Sequence, residues 1–263
     1  MASLFMGTSG FAYPSWKPDF YLPKVPQKDF LKYYATRLNA VEINYTFRRL
    51  PSASTLENWV SATPDGFVFA LKAPRAATHR RVLAEAGESI ERFLASGVLE
   101  LRHKLGPILW QLHPARKFDA DDMAAFLALL PHRVEGNSIQ NVVEVRHASF
   151  RDGAFIEMAR RHSVAIALVD SDKHALIGDV TGDVVYMRLQ KTSEESETGY
   201  TEPVLDIWAK RARAFAQGGV ADDLPAVIGK APAKTKRDVF IYMIAGAKER
   251  APAAAVALIE RLK

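Results

Sequence analysis

The chain has 263 residues, 48% hydrophobic and 25% charged, a balance that excludes a disordered or fibrous protein. It contains no cysteine, which removes disulfides, thiolate metal sites and a cysteine nucleophile, and no apolar run reaches the ~18 residues of a membrane span. The net charge of +5 is concentrated in the first 80 residues, which carry 10 basic and 5 acidic side chains and 14 of the 26 aromatics (4 Trp, 8 Tyr, 14 Phe).

Basic charge mixed with rings suits an anionic ligand with flat groups, nucleic acid included; the plainer alternative is a packed core under a solvated lysine surface. Met1 to Tyr21 has no signal-peptide layout, so a cytoplasmic protein with no membrane contact is expected.

In chain order, short β-branched runs alternate with amphipathic ones. Leu4–Gly7 reads as a strand, Lys28–Leu38 as a helix with Phe30, Leu31, Tyr34 and Leu38 on one face, and Ala40–Ile43 as a strand. Ser54–Ala62 reads as a helix with a Ser or Thr cap and Glu57 three residues after Ser54, followed by a strand at Phe67–Leu71. Next come a helix at Glu88–Leu99 and a strand at Ile108–Leu112, introduced by Gly106-Pro107 as a turn. The pattern continues with helix Asp121–Leu130, strand Asn141–Val145, helix Asp152–His162 and strand Val164–Val169. It ends with strand Val184–Leu189, helix Pro203–Ala216, strand Asp238–Ile244 and helix Pro252–Leu262.

Eight strands in a chain of this length predict a single (β/α)8 TIM-type barrel domain spanning 1–263, with parallel strands. The one short crossover, Ser171 to Asp183, has no room for a full helix. Gly7-Thr8-Ser9-Gly10 lacks the third glycine of a dinucleotide fingerprint. Lys191–Tyr200 follows a strand and could act as a lid, whereas the basic Gly229–Arg237 precedes one and falls on the opposite face.

Barrel enzymes carry their chemistry at the C-terminal strand ends. That rule selects Glu42, Lys72, His79 and Glu144 as candidate catalytic residues. It also selects Ser9, Tyr13, Trp16, Asn44, Thr46, Gln111, Arg146, Asp170 and Arg188 as candidate ligand-binding residues. Carboxylates facing cations across a barrel mouth would perturb one another's titration; the plain alternative is an ion-pair network closing the barrel top.

The same residues carry a resemblance. Gly7-Thr8-Ser9-Gly10-Phe11 with Tyr13, Trp16 and Phe20-Tyr21-Leu22-Pro23 resembles the opening of the YecE-like family. Glu42-Ile43-Asn44-Tyr45-Thr46-Phe47-Arg48 with Pro51, Phe67-Val68-Phe69 with Lys72, and Thr78-His79 resemble its next blocks. Leu105-Gly106-Pro107, Gln111-Leu112 and Glu144-Val145-Arg146-His147-Ala148-Ser149-Phe150 are similar to two more. The resemblance implies a TIM-type barrel and no settled activity. The chain departs from the family's pattern twice: Gln190-Lys191 follows Arg188-Leu189 where His-Gly is usual, and Tyr242-Met243-Ile244-Ala245 replaces an aromatic followed by paired asparagines.

Three functions stay open. The first is an enzyme on a phosphate-bearing substrate, nucleic acid included, with Glu42 or Glu144 as base and His79 as acid or orienting group. A divalent metal, if used, would draw on Glu42, Glu144, Asp170 and His79. The second is a non-enzymatic module for an anionic metabolite or nucleic acid. The third is a glycoside hydrolase built on the two glutamates.

Overall fold

The computed structural model describes residues 2–229 and 232–263. Nine strands carry two parallel sheets: β1 Leu4–Thr8, β2 Ala40–Ile43, β3 Val68–Lys72, β4 Leu105–Gln111, β5 Asn141–Glu144, β6 Ala165–Ile166, β7 Leu168–Asp170, β8 Val184–Leu189 and β9 Asp238–Met243. A two-residue antiparallel hairpin, Arg133–Val134 with Asn137–Ser138, stands apart. The helices are α1 Phe30–Tyr34, α2 Ala53–Ser61, α3 Arg75–Thr78, α4 Gly87–Leu94, α5 Ala120–Ala128, α6 Gly153–Arg161, α7 Glu202–Ala216 and α8 Ala251–Leu262.

One sheet runs β1-β9-β8-β7 and the other β2-β3-β4-β5-β6. The expected eight-stranded ladder is therefore divided, and each division has a local cause. The predicted strand Val164–Val169 is two pieces: Ala165 and Ile166 pair with β5, while Leu168 to Asp170 pair with β8. Between them Thr181 Oγ1, from the short crossover, accepts the Ile166 N–H at 3.0 Å and donates to Val164 O at 2.7 Å. A side chain thus takes the place of a ladder partner. The crossover can come this close because Gly182 has no Cβ; one built there would lie 2.6 Å from Ala165 N.

Between β1 and β2 side chains again span the gap. Asn39 accepts from Met6 N at 2.7 Å and donates to Leu4 O at 2.9 Å. The Tyr34 hydroxyl accepts from Thr8 N at 2.8 Å and donates to Ala40 O at 3.0 Å. One parallel bridge joins Ser9 to Glu42, with Gly10 N donating to Glu42 O at 2.8 Å.

Several element boundaries differ from expectation. Gly106-Pro107 lies within β4: from Phe69↔Leu105 to Leu71↔Ile108, β3 advances two residues and β4 three. That bulge accommodates a proline with no N–H to give the ladder. The predicted helix to Leu99 stops at Leu94 because Gly97 is left-handed, at φ +94°. The cap of α2 is Ser52, whose side chain accepts from Thr55 N, so Ser54 lies inside the helix. The first helix is only α1, preceded by a 3-10 turn at Gln27–Asp29.

Strand alternation sorts the core. Val41, Ile43, Phe69, Leu71, Trp110, Val143, Val185, Met187 and Ile241 point outward into the large cluster under the helices. Ala40, Val68, Ala70, Leu109, Val142, Ala165, Ala167, Val169, Val184, Tyr186, Phe240 and Tyr242 form a separate inner cluster. Among the described residues no helix is long and apolar enough to cross a membrane.

Candidate functional site

Following the inner face of each strand towards its C-terminal end leads from apolar residues to charged ones. Ala40 is followed by Glu42, Ala70 by Lys72, Leu109 by Gln111, Val142 by Glu144 and Tyr186 by Arg188. A two-residue step keeps the same face, so these five polar side chains enter one layer.

Arg188 is its hub, with 2% of its surface exposed. Its Nε and Nη2 donate to Glu42 Oε2 and Oε1, both at 2.9 Å, and its Nη1 donates to Glu144 Oε2. Glu144 Oε1 accepts from Arg146 Nε at 2.7 Å and from Gln111 Nε2 at 2.9 Å. Glu42 also accepts from the Tyr186 hydroxyl at 2.8 Å and from Asn44 Nδ2 at 3.2 Å, and Asn44 reaches on to Ser9 Oγ. A forked guanidinium between two carboxylates is the arrangement that makes a buried cation tolerable.

The titration of these groups follows from the geometry. Burial pushes the Glu144 carboxyl up, but Arg188, Arg146 and the bond from Gln111 more than reverse it and hold it at about 2. Burial opposes the charge on Arg188, and Glu144 and Glu42 restore it, leaving its guanidinium more basic than usual.

Lys72 behaves differently. Burial and then Arg188 lower its ammonium to about 8, despite Glu42 and Glu144 nearby. Its Nζ sits 4.1 Å from the centre of the Phe47 ring. Among the described residues it makes no ion pair with a carboxylate, because both glutamates are already taken by arginine.

His79 flanks this corner, its ring 5.1 Å from Phe47 and 5.1 Å from His113. Its Nε2 is buried and has no hydrogen-bond partner among the described residues. Burial first, then His113 and nearby cations, hold its imidazole below the ordinary range.

The structure thus brings together Glu42, Glu144, Arg188, Arg146, Gln111, Asn44 and Ser9, with Lys72 and His79 at the side. Four sequence candidates take other work. Asp170 lies one residue out of phase with the inward Val169 and pairs with Lys191 at 3.4 Å. Thr46 is fully buried and donates to the Lys72 carbonyl at 2.6 Å, bracing β3. Trp16 is buried and donates to Lys248 O at 3.0 Å, so it presents no stacking face to a ligand. Tyr13 donates to Ser9 O at 2.9 Å and lines a cleft of about 410 Å³ with Phe11, Asn44 and Tyr45, beside the polar layer.

The suggested metal set does not assemble, since Asp170 and His79 lie apart from the glutamates. No cluster of three or more His, Asp or Glu side chains placed to hold a metal ion occurs among the described residues.

Two participants escaped the sequence reading. Tyr186 was legible as the inward residue two positions before Arg188. His174, in the crossover after β7, sits where Arg146, Glu144 and Arg188 act on it, and burial before all of these lowers its basicity; no motif marks it.

The loop Lys191–Tyr200 is tied down: Lys191 N donates to the Tyr200 hydroxyl, and Thr192 Oγ1 to Ala245 O and Ala247 O. In the basic stretch Gly229–Arg237, Lys230 and Ala231 lie outside the described residues. Arg237 is buried, donating to carbonyls of Gly182, Thr235 and Ala233, and so is structural.

No curated protein matches this chain. Among solved structures, it is similar to a DUF72 family protein from Thermotoga maritima MSB8, with a TM-score of 0.76 at 20% identity over 99% of this chain and 98% of that one. It is also similar to a DUF72 family protein from Enterococcus faecalis V583, with a TM-score of 0.70 at 15% identity over 98% and 95% of the two chains. At such identities the likeness speaks for the fold alone. The family model described as "Protein of unknown function DUF72", also called YecE-like, matches residues 5–263, and the chain belongs to that family.

Proposed function

We propose that the protein binds an anionic, phosphate-bearing ligand at the C-terminal mouth of a closed (β/α)8-type cylinder formed by the two sheets. Closure is supported by the side-chain bonds across the β1–β2 gap and by the hand-over of one extended segment from β6 to β7. Anion binding is supported above all by the charge balance. Arg188, Arg146 and Lys72 face Glu42 and Glu144, so the layer carries one positive charge in excess.

That excess faces outward. The Arg146 side chain is 20% exposed and uses Nε on Glu144, and its two terminal nitrogens have no partner among the described residues. A guanidinium edge beside an unpaired ammonium suits phosphate oxygens.

The geometry weighs against hydrolysis with a glutamate as base. Both oxygens of Glu42 and Oε1 of Glu144 each accept from two donors, and Glu144 Oε2 accepts from Arg188. The arginine pairing that holds Glu144 ionised argues against a glycosidase, which needs one protonated carboxyl.

Isothermal titration with inorganic phosphate, pyrophosphate and nucleoside monophosphates tests the reading. Wild-type protein should bind at least one of these, and Arg146→Gln should weaken that binding by about tenfold or more, as loss of a charge-assisted bond does. Absence of heat with every anion, at low and at physiological salt, would refute it.

A further inference from the structure

We infer that Lys72 is a nucleophile that forms an imine with the carbonyl group of an aldehyde or ketone carried by the anionic ligand. This rests on the proposed anion site and names the class of compound that site takes: a phosphate-bearing carbonyl compound.

The inference starts from the amine's surroundings. Lysine near two carboxylates ordinarily pairs with one and becomes a fixed cation. Here Arg188 pairs with Glu42, Arg188 and Arg146 pair with Glu144, and the Lys72 ammonium is left against the face of Phe47. The charged and titratable groups that act on it are Arg188 from β8, Glu42 from β2, Glu144 at the end of β5, Arg146 just beyond it, and His79 after α3.

Burial and the two arginines favour the neutral amine. At pH 7.5 an amine of pKa about 8 offers on the order of 100-fold more free base than a surface lysine. An anion-attracting mouth holding a partly neutral amine is a site for carbonyl chemistry rather than a further cation clamp.

The step balances without an added redox partner. The Nζ lone pair attacks the carbonyl carbon, the carbonyl oxygen takes up a proton, and a carbinolamine results. The nitrogen gives up a proton, the hydroxyl leaves as water with another, and a protonated imine remains; hydrolysis reverses each bond change. His79 shares the Phe47 ring with Lys72 and carries a buried, unpartnered Nε2, which fits it to take the proton the amine releases.

The test uses pyridoxal 5′-phosphate, which joins an aldehyde to a phosphate, followed by borohydride to reduce any imine to a stable amine, and peptide mapping by mass spectrometry. Pyridoxal, lacking the phosphate, and inorganic phosphate as a competitor complete the set. Lys72 should be labelled about tenfold or more faster than the surface lysines of the same chain, with a rate rising through pH 8. Inorganic phosphate should protect it, and pyridoxal should label it more slowly.

Lys72→Arg removes the primary amine and should abolish the fast-labelled peptide, while the surface lysines of the same chain keep their slower rate. Phosphate-displaceable binding of pyridoxal 5′-phosphate with no adduct at Lys72 would overturn the imine and leave the anion site standing. Labelling by pyridoxal at the same rate, unprotected by phosphate, would overturn the inference together with the anion site.

Discussion

The inside and the outside of the strands obey different rules along the same backbone. On the outer face β8 runs Val185, Met187, Leu189, apolar to its end under the helices. On the inner face it runs Val184, Tyr186, Arg188, passing from hydrocarbon to a guanidinium in two steps of about 6.6 Å each. Both ends of that inner path are buried, so exposure does not explain the change. The outer face is held by hydrophobic burial, which tolerates approximate shape, whereas the inner layer holds only if each donor meets its acceptor. A layer so costly to assemble, placed where strands end and loops begin, marks the place to seek function.

The largest expected effect comes from breaking the hub alone. Arg188→Met leaves the buried Glu42 without its ion-pair partner and Glu144 with Arg146 alone, and should cost about 3–5 kcal/mol in denaturant unfolding. Changing all three together, Glu42→Leu, Glu144→Leu and Arg188→Met, replaces the hub and both its carboxylates by hydrocarbon and leaves Lys72 and Gln111 as the polar side chains of the layer. Its stability should return to within about 2 kcal/mol of wild type. A triple variant as unstable as the single one would show that the layer is more than a cluster of paired charges.

Acid is the next probe. The Glu144 carboxyl titrates at about 2 in the fold against 4.5 unperturbed, so the unfolded chain binds more protons between these values. The stabilisation is complete above pH 4.5 and is lost as pH falls towards 2, about 3 kcal/mol in all. Unfolding midpoints measured from pH 6 to 2.5 should show this loss in wild type and a flatter profile in Glu144→Gln.

A smaller effect separates ring from hydroxyl at the boundary between the two regimes. Tyr186→Phe keeps the inner packing and removes one donor to Glu42, for a loss of about 1–2 kcal/mol in thermal or chemical unfolding. The smallest lies on the outside: Ser52→Ala removes the cap of α2 and should cost about 1 kcal/mol with no change in phosphate affinity. A shift in affinity there would mean that α2 and the charged layer are coupled.

Much of this was legible beforehand. The rule that chemistry sits at C-terminal strand ends already picked Glu42, Arg188 and Glu144 out of Ala40–Ile43, Val184–Leu189 and Asn141–Val145. Gly106-Pro107 misled as a turn because its strand role depends on a bulge against β3, which a local pattern does not reveal. Asp170 was placed in the mouth by its position at a strand end, and its phase relative to Val169 would have placed it outside. Trp16 and Thr46 looked like ligand contacts because residue type does not tell a buried hydrogen bond from a waiting one.

The sequence alone determined the alternation of strand and helix and the concentration of polar side chains where strands end, because these follow from backbone geometry over a few residues. Only the tertiary structure decided that Arg188 would be shared by Glu42, 146 positions away, and Glu144, 44 positions away, leaving Lys72 without a carboxylate. The reason is that ionic partnership depends on distance and desolvation, and both are set by the arrangement of strands far apart in the chain.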